Sequence, residues 1–115
     1  MPSPQAKSGN CSKEFDEILL SAIDNALISL GESVKKSIYY HLEEQFQLKR
    51  NQIPNQLNKF QKAIEQIFGS GARFLEILIM KNLYLKAGVT VSMEEKVSFI
   101  DYVKELKHIY MEKAN

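Results

Sequence analysis

The stretch from Ala72 to Lys86 constrains this chain more than any other. Phe74, Leu75, Ile77, Leu78, Ile79, Met80, Leu83, Tyr84 and Leu85 fall within it, and at 100° per residue they spread almost all the way round a helix. Gly88 ends the run. A helix that is apolar on every face has to be covered on every face. Either it is the central helix of a helical domain, or a partner chain covers one of its sides. Leu78, in its middle, is expected to be fully buried, in which case Leu78→Ala would cost roughly 2–5 kcal/mol.

The rest of the chain supplies helices that can do the covering. Phe15, Ile18, Leu19, Ala22, Ile23, Ala26, Leu27 and Leu30 recur at three- and four-residue spacing, with Ser12 as N-cap and Gly31 in the position of a left-handed C-cap. Residues 1–11 hold two prolines, two serines and no aliphatic side chain larger than Ala6 after Met1. They offer little to offset ordering entropy, and a disordered tail is expected there. A second helix runs from Glu32 to Phe46, with Val34, Ile38, Leu42 and Phe46 at four-residue spacing. Gln47 to Pro54 has no helical period and is expected to be a loop, with Ile53 tucked into the core.

Leu57, Phe60, Ala63, Ile64, Ile67 and Phe68 define a third helix, starting near Asn55 and stopped by Gly69. Ser70 and Gly71 make a tight turn into the apolar fourth helix. After the connector Val89–Val91, Ser92 and Glu95 match a capping box. The last helix, over 93–113, carries Val97, Phe99, Ile100, Val103, Leu106, Ile109 and Tyr110. With no convincing strand, the expected fold is all-α: a single helical domain over 12–115, built as a compact bundle of about five helices.

Composition narrows the class. At 115 residues and 44% hydrophobic, the chain is too short for a barrel and too apolar for disorder. Its single cysteine, Cys11, cannot form an internal disulfide. No apolar run approaches the roughly 20 residues that span a bilayer, and Met1 to Asn10 is polar where a signal peptide would be greasy. These features lead to the expectation of a cytoplasmic protein.

Catalytic and metal-binding patterns do not assemble. The candidate metal ligands Cys11, His41 and His108 show no helical i, i+4 pairing. The nucleophile motifs are missing, and Gly69-Ser70-Gly71 lacks the strand and lysine of a phosphate loop. Within Glu43-Glu44 and Glu94-Glu95 the side chains diverge by about 100° and make no acid/base dyad. The expectation is no catalytic residue, no cofactor and no metal, and hence no enzyme.

The net charge of +1 conceals an uneven distribution. Residues 33–88 hold nine basic and four acidic side chains, a local balance of +5 between flanks of −3 and −1. Such a basic middle is either a phosphate-contacting surface, a docking face for an acidic partner, or a solvated exterior. A helix-turn-helix over the third and fourth helices has about the right lengths, but Phe74, Leu75, Ile77, Leu78 and Ile79 crowd the start of what would be the reading helix.

Part of the chain resembles a known family. Leu30-Gly31-Glu32-Ser33-Val34, Ile38-Tyr39-Tyr40 with Leu42-Glu43, Ile53-Pro54, Phe60, Ile67-Phe68-Gly69-Ser70-Gly71-Ala72 and Leu75-Glu76 with Ile79 resemble the small archaeal helical module called the Nitrosopumilus output domain, over about residues 30–88. The resemblance implies a signal-output or interaction module with no established activity, catalytic residue or cofactor. Such a module is attached to sensory or receiver domains, and none is present in these 115 residues. The helix over 93–113 lies outside the pattern and would either complete the core or form a homodimer interface.

Together these readings predict a non-enzymatic, archaeal regulatory or signal-output module that binds another protein, or itself as a homodimer, through an exposed helical face. The alternative is a nucleic-acid-binding regulator that uses Lys35, Lys36, Lys59, Lys62 and Arg73 of the basic 33–88 segment.

Overall fold

The computed structural model describes residues 4–89 and 98–114. They form five α-helices: α1 (Pro4–Ile28), α2 (Glu32–Phe46), α3 (Leu57–Phe68), α4 (Ala72–Ala87) and α5 (Phe99–Ala114). Short 3-10 segments at Arg50–Asn55 and Gly69–Gly71 flank α3. No strand occurs among the described residues. The fold is an all-α bundle around one apolar core.

α1 is the spine, packing against α2, α4, α5 and the Arg50–Asn55 segment. It starts at Pro4, eight residues before the expected cap at Ser12, so the segment expected as a disordered tail is helical from that point. Proline is tolerated in a first helical turn because its missing N–H has no intrahelical partner there. Once the buried part of the helix is formed, adding residues such as Gln5, Ala6 and Lys7 requires no new nucleus. Phe15, Leu19, Ala22, Ile23, Ala26 and Leu27 of the expected stripe are buried. Leu30 stays 39% exposed because the helix ends before it, at Ile28.

α2 buries Ile38 and Leu42. It ends at Gln47, a non-glycine residue in the left-handed region (φ 50°, ψ 44°). That reversal sends the Leu48 N–H back to the Leu42 carbonyl at 3.0 Å and drops the Leu48 side chain into the core. The expected loop is thus a short ordered connection, with Leu48 and Ile53 both fully buried. α3 begins at Leu57, two residues later than expected, and contributes Phe60, Ala63 and Ile64. Gly69 stops it with a positive φ of 58°. At the far end of α4, Gly88 adopts the left-handed conformation (φ 70°) and its N–H caps the Tyr84 carbonyl at 3.2 Å.

The start of α5 is capped by Ser98, whose Oγ accepts a hydrogen bond from the Asp101 N–H at 3.0 Å. The expected capping box at Ser92 and Glu95 lies outside the described residues, as does Val97. Phe99, Tyr102, Val103 and Leu106 are buried within the single chain, so α5 completes the monomer core. The Phe60 and Phe99 rings lie 6.1 Å apart, and those of Phe15 and Tyr110 5.6 Å apart, both within the range of favourable tilted aromatic pairs. Among the described residues no helix is long and apolar enough to cross a membrane.

Candidate interaction surface

α4 makes its most extensive contact with α1 and also packs against α3 and α5. Ala72, Leu75, Glu76, Ile79, Met80 and Leu83 form its buried stripe. The opposite side is left uncovered. Phe74 is 61% exposed and Leu85 68%, and eleven residues make three turns plus about 20°, so both stand on one line of the helix. Between them lie Lys81, exposed, and Ile77 and Leu78, half-buried. α4 is therefore central on one side only, and Leu78 sits at the margin of the core rather than inside it. Among the described residues, none covers Phe74 and Leu85 on the side that the all-round apolar pattern required something to cover.

The only carboxylate of α4 is on the buried side. Glu76 is 5% exposed, held by the Arg73 guanidinium at 3.5 Å and by Gln61 Nε2 of α3 at 3.4 Å. A buried carboxylate needs such partners, since desolvating it unpaired would be prohibitive. The outward face of α4 consequently has apolar and cationic groups and no acid.

The five basic residues singled out from the sequence stand on three helices, Lys35 and Lys36 on α2, Lys59 and Lys62 on α3 and Arg73 on α4. Lys35 lies near a polar cluster between α1, α2 and the Arg50–Asn55 segment, where its charge acts on Asp24. Lys59 Nζ reaches the Gln47 carbonyl at 3.4 Å, at the far end of α2. Arg73 is engaged with Glu76. Lys36 and Lys62 are exposed on α2 and α3. α4 also turns Leu75, Glu76 and Ile79 inward, so its first turns are not presented as a reading helix.

The polar cluster escaped the sequence reading. Asp24 Oδ1 accepts from the Tyr39 hydroxyl and from Arg50 Nε, while Asp24 Oδ2 accepts from Arg50 Nη2 at 2.6 Å. Burial pushes the Asp24 carboxyl up, but its hydrogen bonds from Arg50 and Tyr39 and the charges of Arg50 and Lys35 hold it below the usual carboxylate value. Burial and the adjacent Asp24 carboxylate push the Tyr39 hydroxyl well above that of a free phenol. Its bond to Asp24 raises the Arg50 guanidinium further. Each group is paired with another, so the cluster ties three elements together.

An open depression of about 400 Å³ is lined by Glu14, Glu17, Ile18, Ser21, Lys86 and Tyr110, and there Glu14 accepts from the Tyr110 hydroxyl at 3.2 Å. His41 is half-exposed, and His108 is exposed beside Glu112 at 3.0 Å. Among the described residues no three His, Cys, Asp or Glu side chains gather as a metal would need. Comparison with protein-family models, curated proteins and solved structures finds no match to this chain.

The outward face of α4 is thus the surface whose composition the fold itself does not explain. Half of the signal for it was in the sequence, in the all-round apolar pattern. Which residues stay outside depends on the rotation of α4 against α1, and a helical wheel carries no such reference direction.

Proposed function

We propose that the chain is a non-enzymatic regulatory interaction module of the signal-output kind, which works in the cytoplasm by docking another protein on the outward face of α4. The supporting observation is the pair Phe74 and Leu85, each more than three-fifths exposed and three turns apart on one face of a helix whose opposite face builds the core. Exposed large apolar side chains aligned along one helix face mark contact sites in soluble proteins.

The experiment is affinity capture from native lysate with the wild-type chain and with a Phe74→Glu/Leu85→Glu variant whose helicity matches in far-UV circular dichroism. A protein that cross-links at Lys81 in the wild type and is lost from the variant supports the reading. An identical capture profile for the two chains overturns it.

A further inference from the structure

Resting on that reading, the structure also indicates what the partner looks like. Phe74, Ile77 with Leu78, Lys81 and Leu85 follow the alternating three- and four-residue spacing of a coiled-coil seam, which is the spacing a second helix can fill with its own side chains. The single break in the seam is Lys81, near its middle. The one acid of α4, Glu76, is buried and held by Arg73 and Gln61.

A second copy of the same face fits this pattern badly. In an antiparallel pair the two-fold axis falls between Ile79 and Met80, setting Phe74 against the other copy's Leu85 and Leu78 against its Lys81. The apolar ends match, but both Lys81 ammonium groups come together at the centre with no carboxylate on either outward face. In a parallel pair Lys81 meets Lys81 directly. Either arrangement brings two like charges together with no carboxylate of α4 to offset them.

We infer that the outward face of α4 takes an amphipathic helix from a different protein, one whose apolar stripe seats against Phe74, Leu78 and Leu85 and whose flanking carboxylates reach Lys81. The central lysine then sets register and partner choice, as a single polar seam position does in coiled coils. The seam supplies affinity, and the charges reject partners of the wrong sign.

The test uses the full chain and two synthetic helical peptides of about 18 residues, enough for five turns. Both have the same leucine seam; one is flanked by glutamates and the other by lysines. Fluorescence anisotropy is expected to show the glutamate peptide binding at least about tenfold more tightly than the lysine peptide, in line with the cost of juxtaposing like charges. Lys81→Glu should abolish or reverse that preference, and Phe74→Ala with Leu85→Ala should weaken the glutamate peptide by about tenfold or more.

Equal binding of both peptides that still depends on Phe74 and Leu85 would overturn the acidic partner and leave the docking face standing. So would a dimer in sedimentation equilibrium that Phe74→Glu dissolves. Cosedimentation with phosphatidylserine vesicles, lost in Phe74→Glu and accompanied by no peptide preference, would make the face a membrane contact instead. If neither peptide binds and the chain neither dimerises nor meets vesicles, the docking reading itself fails.

Discussion

Arg50 and Asp24, twenty-six positions apart in the chain, are joined by two parallel hydrogen bonds of 3.1 and 2.6 Å, and the second oxygen-sharing donor is the Tyr39 hydroxyl. Planar guanidinium against planar carboxylate fixes angle as well as distance. Through this contact the Arg50–Asn55 segment is pinned to α1, and Ile53 and Leu48 are held in the core beside it.

Acid should weaken the fold through Asp24. Its carboxyl is held below the ordinary value in the folded chain, so its contribution is present above the unfolded value of about 4 and is lost as pH falls through the folded value. Asp24→Asn should lower stability at pH 7 by about 1 kcal/mol and flatten the loss on acidification. Urea midpoints measured between about pH 7 and pH 3 check this; parallel pH profiles for the two chains would refute it.

Alkali should act through Tyr39. Its raised hydroxyl stays protonated in the fold when an unfolded phenol ionises near pH 10, so stability is complete below that value and declines as pH rises above it. Tyr39→Phe removes the hydrogen bond to Asp24, at about 1 kcal/mol near neutrality, and reduces the alkaline decline. The tyrosinate absorbance near 295 nm, followed with pH in both proteins, reports the missing late-titrating group. Tyr102, raised by burial and by the charge of Tyr84, contributes to the decline in the same direction.

In α4 the sensitive position moves inward by one turn of reasoning. Leu75 and Leu83 are buried to 1% and 0% exposure, so either truncated to alanine should lose about 2–5 kcal/mol. Leu78→Ala, at the half-buried margin, should lose only about 1 kcal/mol. Chemical denaturation of the three variants gives the ranking directly, and a Leu78→Ala loss equal to that of Leu75→Ala would contradict the placement of the core.

Gln47 occupies a left-handed backbone conformation that disfavours a side chain by roughly 1 kcal/mol or more. Gln47→Gly should therefore raise stability by about 0.5–1 kcal/mol, the entropy of a more flexible unfolded chain taking back part of the gain. A rise in thermal midpoint of a few degrees is the expected reading.

Where periodicity governs, the sequence and the structure coincide. Phe15, Leu19, Ile23, Leu42, Phe60, Ile64, Val103 and Leu106 were placed on inward stripes by spacing alone, and all are buried. Tyr102 was not, because a phenol at the edge of a stripe reads equally well as facing out. The Asp24–Tyr39–Arg50 cluster was illegible for a different reason: its members belong to three elements and meet only through packing angles that no local spacing encodes. Leu48 was missed because the turn that buries it depends on a non-glycine residue with positive φ, for which Gln47 gives no sequence signal.

The Phe15 face of α1 is completed from the other end of the chain. Lys107 bonds Asp16 at 3.1 Å across 91 positions, and Tyr110 bonds Glu14 across 96 while its ring packs at a tilt against Phe15. During synthesis, at the roughly 5–20 residues per second of a working ribosome, that greasy patch waits for α5 to emerge. α1, which leaves the ribosome before the other described helices, thus has its Phe15 face sheltered only when α5 arrives.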